Sequence, residues 1–258
     1  MGIKERRTKI LLALFLSSDV NFGYVHFTDQ IQKVFDLSFN QKTKGTFSAL
    51  IKEDHVDKRG IEETEAQAGA TDKMSHQYRL TDKGFLELCL DFPAFRYMKE
   101  GWDGKWRILS YEIPEKKRDL RDKLRREVSG WGLGPWHRSF WLTPHPIIDN
   151  LKQLVSQKEE EQYIQAFESS HVFGDREILI EKVWQKSQLD KRYRELFKKW
   201  HDILSREGDK VQKYQSVVTE YVKILRQDPG LPAELIGQNW IGFEAFNIFK
   251  EIRSILTS

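Results

Sequence analysis

Apolar residues near the start of the chain recur at helical spacing, and the pattern then turns to alternation. Arg6 to Ser17 carries Ile10, Leu11, Leu14 and Phe15 along one side, which predicts a first helix. Thr28 is placed to cap a second helix running through Phe35, and a third is predicted from about Asn40 to Asp54. Val56–Ile61 and Gln77–Thr81 are short enough to be the two strands of a hairpin, and YRLTDKG at Tyr78–Gly84 reads as a strand leading into a closing helix. Helices followed by a hairpin predict a winged helix-turn-helix over residues 1–92. The stretch between the hairpin strands, 61–75, is long and acidic, with Glu62, Glu63, Glu65 and Asp72 against Lys73, so its tip is expected to avoid phosphates.

The middle of the chain alternates strand and helix patterns. Trp106–Ile113 alternates faces and Pro114 stops it; Leu120, Leu124, Val128 and Trp131 then fall on one side of a helix from Glu115 to Gly130. Gly132, Gly134 and Pro135 end that helix, and Phe140, Trp141 and Leu142 supply the next strand. Ile147–Lys158 reads as a second helix, and Tyr163–Phe173 and Arg176–Val183 read as further strand material around a Gly174-Asp175 turn. Two helices over a small antiparallel sheet predict a ferredoxin-like domain over residues 100–185. In the last third, Leu189, Tyr193, Leu196 and Trp200 mark one amphipathic helix, Tyr214, Val218 and Tyr221 a second, and Phe246, Phe249 and Ile252 a third. Residues 186–258 are therefore expected to form a C-terminal helical domain, and the chain as a whole is α+β.

Composition changes this picture little. A length of 258 residues favours two or three small domains, and 16 Phe, 8 Tyr and 8 Trp are enough to fill their cores although 31% of the residues are charged. Cys89 is the chain's one cysteine and lies in the apolar run FLELCL, which predicts a buried structural thiol and fits a reducing cytoplasm. The longest apolar run, Ile10–Leu16, falls well short of the roughly 20 residues a membrane span needs, so neither a span nor a targeting segment is expected. The net charge of +3, from 42 basic and 39 acidic residues, does not by itself point to nucleic acid. Local placement of charge has to do so.

On the third predicted helix, Phe47, Leu50 and Ile51 point together, leaving Gln41, Lys42, Gly45, Ala49 and Lys52 opposite. Small residues beside Lys and Gln permit close approach to a duplex. Lys42, Lys44 and Lys52 suit phosphates, while Gln41, Thr46 and Ser48 suit base edges in the major groove. The competing explanation is that these lysines only solvate an exposed helix. On the central helix, Arg118, Arg121 and Arg125 form a stripe able to receive an anion: DNA phosphate, the phosphates of a coenzyme-A thioester, or carboxylates of a partner subunit. Local ion pairs would equally well explain it. Trp136, His137 and Arg138, with Trp131 and Trp141, offer an apolar wall with polar groups for an effector, or simply packing. The seven His are scattered, Cys89 has no His beside it, and no phosphate loop, nucleophile elbow or zinc spacing appears, so no catalytic, metal or cofactor residues are assigned.

Several linked motifs carry a family resemblance. They are WDGKW at Trp102–Trp106, EIP at Glu112–Pro114, LRDKLR at Leu120–Arg125, GLGP at Gly132–Pro135 before a tryptophan-bearing strand, and DPGLPAELIGQNWIGFEAF at Asp228–Phe246. Together they resemble the phenylacetate-degradation repressor (PaaX-like) family of transcriptional regulators. The resemblance implies a cytoplasmic homodimeric repressor whose winged helix reads double-stranded operator DNA, released by an acyl- or aryl-coenzyme-A thioester. It also implies a central domain similar to the small nuclease-like subunit of CRISPR spacer-acquisition complexes. The third helix departs from the family in having lysines and Phe47 where arginines are usual, and Ile241 follows Trp240 where Pro is common. In the CRISPR relative a metal-binding Asp ends the first strand; Glu112 stands there in this chain, without a second carboxylate or His at ligand spacing. The alternatives are a metal-dependent nuclease built on the central domain and a non-enzymatic scaffold.

Overall fold

The computed structural model describes residues 5–18, 22–60, 76–98 and 101–257; the expected acidic tip at 61–75 lies outside the described residues. The chain packs as two compact units, each assembled from separated stretches. One takes Met1–Asp91, Lys198–Lys223 and Phe249–Ser258, and the other takes Phe92–Phe197 and Ile224–Ile248.

The first unit follows the order the sequence pattern predicts. Helix α1 (Arg6–Ser17) is buried along its whole length from Thr8 to Leu16, because it is apolar nearly all round and must be enclosed on every side. After strand β1 (Val25–His26) comes α2 (Asp29–Val34), whose Thr28 cap accepts the Ile31 N–H at 3.3 Å. Helix α3 (Gln41–Lys52) leads into β2 (Val56–Gly60), β3 (His76–Leu80) and α4 (Asp82–Asp91). The three strands form an antiparallel sheet in the order β1-β3-β2, with Val56 opposite Leu80 and Gly60 opposite His76. The glycine that closes YRLTDKG has a steric reason: a Cβ on Gly84 would stand 1.9 Å from the carbonyl oxygen of His55.

The remainder of this unit comes from the far end of the chain. Helices α8 (Lys186–Ser205), α9 (Lys210–Leu225) and α11 (Ile241–Thr257) contribute Trp200, Tyr214, Tyr221 and Phe249, an aromatic cluster in which Trp200 and Tyr221 lie 5.3 Å apart and Tyr221 and Phe249 5.0 Å. Arg253 is buried and donates to the carbonyls of Leu16 and Ser18 at 2.9 and 2.7 Å, closing the end of α1. Gln215 likewise donates to the Lys33 carbonyl at 3.2 Å.

In the second unit, strands β4 (Lys105–Tyr111), β5 (Gly134–His137), β6 (Phe140–Thr143) and β7 (Ile164–Ser170) form an antiparallel sheet in the order β5-β6-β4-β7. Helix α5 (Arg118–Gly130) joins β4 to β5, and α6 (Ile148–Val155) joins β6 to β7, so the order is strand, helix, strand, strand, helix, strand. Leu124 of α5 and Leu151 and Val155 of α6 all turn toward Leu109 of β4, which puts both helices on one face. The glycine and proline expected only to end the helix also open β5.

One element differs in kind. Arg176–Val183, expected as strand material, is helix α7 (Arg176–Trp184). Asp175 caps it, its Oδ1 accepting the N–H groups of Glu177 and Ile178 at 2.8 and 3.2 Å. The other end is held by Trp184, whose Nε1 donates to the Gly132 carbonyl at 3.1 Å, and Gly134 leaves room for Val183 and Trp184. A short apolar run is ambiguous between strand and helix, and here the cap and the tryptophan decide.

The tail motif builds the rest of this unit. Asp228 is buried and accepts from the Tyr193 hydroxyl at 2.6 Å and from the Gly230 N–H at 2.8 Å. Burial pushes its carboxyl above the usual range. Gly230 takes φ +66°, and a side chain there would collide with the Pro93 carbonyl. The short helix α10 (Ala233–Ile236) follows. Cys89 is buried, and no helix among the described residues is long and apolar enough to cross a membrane.

Removing the Arg253 guanidinium leaves two carbonyls without their charged donor. Arg253→Leu is expected to cost about 2–3 kcal/mol in urea unfolding, far more than a surface Arg would.

Candidate nucleic-acid interface

Helix α3 is fixed at both ends and along its inner side. Asn40 Oδ1 accepts the Thr43 N–H at 3.1 Å, and the buried Thr43 hydroxyl donates to the Ser38 carbonyl at 2.6 Å. Phe47 points inward, its ring 5.1 Å from Phe27, which lies between β1 and the α2 cap, and 4.5 Å from Tyr78 of β3, so both brace it. At the C-terminal end, Arg7 bridges Glu53 at 2.7 Å and the buried imidazole of His55 at 3.2 Å. Burial and the Arg7 charge hold the His55 pKa below its ordinary value.

The outer side carries the residues expected from the helical wheel, with one variation. Gln41, Lys42, Lys44, Gly45, Ser48, Ala49 and Lys52 are exposed, and Thr46 is half-buried. The hydroxyls of Thr46 and Ser48 donate back to the Lys42 and Lys44 carbonyls at 2.9 and 3.1 Å, leaving their lone pairs as acceptors toward solvent. The helix contains no Asp or Glu, and among the described residues none of Lys42, Lys44 and Lys52 pairs with a carboxylate. Lys44 instead lies over the Phe39 ring at 5.6 Å. Lys9, by contrast, binds Asp36 at 2.7 Å. A Cβ on Gly45 would meet nothing within 4 Å, so no part of the fold requires a glycine there.

The outer face of the three-stranded sheet was not legible from the chain's pattern. Tyr24 lies beneath the guanidinium groups of Arg59 and Arg79, at 4.3 and 4.8 Å from its ring centre, and donates to Asp57 at 2.6 Å. The Tyr24 hydroxyl and Arg79 hold the Asp57 carboxyl below the usual range. Arg59 donates to Gln77 at 2.7 Å, and Gln77 reaches His26 at 2.6 Å, making a polar ladder across all three strands. Only strand pairing brings these residues together, and β1 is too short to announce itself.

In the second unit the proposed arginine stripe is largely engaged. Arg121 binds Glu115 at 2.7 Å, Arg118 faces Asp122 at 3.6 Å, and Arg125 donates to the Tyr111 hydroxyl at 2.6 Å and to the Arg138 carbonyl at 3.1 Å. Trp136, His137 and Arg138 are exposed on the β5–β6 hairpin. Glu112 is exposed and its N–H donates to the Tyr163 carbonyl at 3.0 Å. Among the described residues, no group of three or more His, Cys, Asp or Glu is arranged to hold a metal ion.

The family model described as PaaX protein central Cas2-like domain matches residues 99–178, and that described as PaaX-like protein C-terminal domain matches 184–258. The chain is 23% identical over 193 residues to the transcriptional repressor PaaX of Escherichia coli (strain K12), a match covering 68% of this chain and 60% of that protein. The chain thus spans about 60% of the length of this curated relative. The fold is similar to that of the uncharacterized protein Rv0674 from Mycobacterium tuberculosis, with a TM-score of 0.50 at 16% identity over 96% of this chain and 97% of the other.

Two outcomes follow for α3. Gly45→Ala meets open space and is expected to stabilise the protein by about 0.5–1 kcal/mol through helix propensity, measured by urea unfolding. The second concerns His55, whose ordinary pKa is 6.5 and whose folded value is lower. The unfolded chain therefore takes up a proton that the folded one refuses, and stability falls as pH drops below about 6.5. His55→Gln is expected to flatten that slope in melting temperatures measured from pH 7.5 to 5.5.

Proposed function

Since this chain belongs to the PaaX-like family through its central and C-terminal domains, we propose that it is a DNA-binding transcriptional repressor and not an enzyme. The observation that carries the proposal is the outer side of α3: three lysines that pair with no carboxylate among the described residues, around a glycine that faces open space. A merely solvated helix face would be expected to mix charges, as the partnered residues of α5 do. In this reading the first unit is a winged helix-turn-helix, with β2 and β3 as its wing strands. Helix α3 enters the major groove, Lys42, Lys44 and Lys52 neutralise phosphates, and Gln41, Thr46 and Ser48 read base edges, while Gly45 and Ala49 let the backbone approach.

The regulator acts in the cytoplasm as a homodimer on a palindromic operator, its two recognition helices about 34 Å or a multiple apart. An acyl- or aryl-coenzyme-A thioester releases it by binding more tightly to the DNA-incompetent state. Trp136, His137 and Arg138 are exposed to meet such an effector. Arg118, Arg121 and Arg125 would first have to exchange their present partners.

The test is a gel-shift titration against the protein's own promoter and an equal-length random duplex, in EDTA and then in Mg²⁺. Preference for the promoter in EDTA is expected; no preference favours a scaffold, and cleavage with Mg²⁺ a nuclease. Lys42→Ala with Lys52→Ala is expected to lower the slope of log affinity against log salt by roughly 2 per protomer and leave the melting temperature unchanged. Gly45→Ala is expected to weaken operator binding while it stabilises the fold, a combination a solvated helix face would not produce.

A further inference from the structure

We propose that the cleft between α6 and the edge of the four-stranded sheet binds an amphipathic carboxylic acid, with the apolar body inside and the carboxylate at Lys152. The cleft encloses about 460 Å³, within the roughly 300–1,000 Å³ range of small-molecule sites. Its existence traces to one small side chain. Leu109 and Ala166 are directly paired across β4 and β7 and so face the same side. Leu109 is fully buried, whereas Ala166, on the edge strand, is too short to reach α6. Ile148, Leu151 and Val155 follow one another at spacings of three and four, which turns all of them toward the gap.

The polar groups at the rim select the ligand's charge. Glu161 is already held in the turn, its carboxylate accepting the Gln157 N–H at 2.9 Å. Among the described residues Lys152 has only a solvent-exposed contact with Asp149 at 3.4 Å, a pair of the kind worth little, and Ser156 beside it is exposed. Glu161 keeps its charge, so a ligand's anionic end belongs on the Lys152 and Ser156 side of the rim, where an ammonium and a hydroxyl suit a carboxylate. A larger residue at 166 would complete the core; an alanine leaves an opening lined by apolar side chains. This deepens the repressor reading by giving a ligand a place to act, and it rests on that reading only for its effect on DNA.

The experiment is calorimetric titration of the full chain with decanoate and with 1-decanol, whose body is the same and whose end is uncharged. Saturable binding of one decanoate per chain, tighter than decanol, is expected. Ala166→Phe should weaken both at least tenfold while the melting temperature holds or rises, and Ala166→Leu serves if the larger residue disturbs folding. Lys152→Glu should reduce decanoate binding to the level of decanol and leave decanol unchanged. Absence of saturable binding, or wild-type binding by a folded Ala166 variant, overturns the site. A repeat of the gel shift with saturating decanoate separates the two claims. Unchanged operator affinity leaves the site standing and removes its regulatory role, and failure to bind DNA at all, with decanoate binding intact, removes only the repressor reading.

Discussion

Arg253 closes the carbonyl end of α1, and the first unit depends on that contact. The helix it caps is buried almost throughout, and the guanidinium comes from the last helix of the chain, donating to Leu16 and Ser18. The carbonyls at a helix end have no partner within the helix, and inside a protein they need one. Supplying it from a residue more than two hundred positions away makes the first unit a product of both chain ends. The aromatic cluster of Trp200, Tyr214, Tyr221 and Phe249 reinforces that dependence from the same distant segments.

Within this unit α3 is braced on its inner side and open on its outer one. Phe47 fits between Phe27 and Tyr78, so the rotation of the helix is determined by packing, and rotation determines which residues face outward. The exposed set is consequently basic and small, and among the described residues none of its lysines pairs with a carboxylate. Long-range attraction to phosphate and close approach of the backbone become available together on one surface. The second unit is organised around another buried group, Asp228, which ties Tyr193 to the turn at Gly230 and so gives the tail motif a structural role. Its arginines on α5 are mostly engaged by carboxylates and carbonyls, which makes that face more a fastening than an anion receptor.

Much of the fold was legible because the signals were local. The first helix, the Thr28 cap, the hairpin strands, and the strand and helix from Trp106 to Gly130 depend on periodicity and on residues a few positions apart. The outward residues of α3 were legible for the same reason, since a helical wheel needs only the core side to be identified. Arg176–Val183 was misread because REILIEKV satisfies a strand pattern as readily as a helical one. The Tyr24, Arg59 and Arg79 stack went unseen because its members meet only across paired strands.

The sequence alone determined the type and order of most elements, the family to which the chain belongs, and the basic, carboxylate-free character of α3. These depend on nearest neighbours along the chain, where spacing and side-chain chemistry act directly. Tertiary structure alone decided that Arg253 caps α1, that Trp184 fastens α7 to Gly132, that Lys42, Lys44 and Lys52 stay unpaired among the described residues, and that Ala166 opens a cleft. Each of these is a meeting of residues distant in sequence, or the absence of one, and a linear pattern holds no record of distance in space.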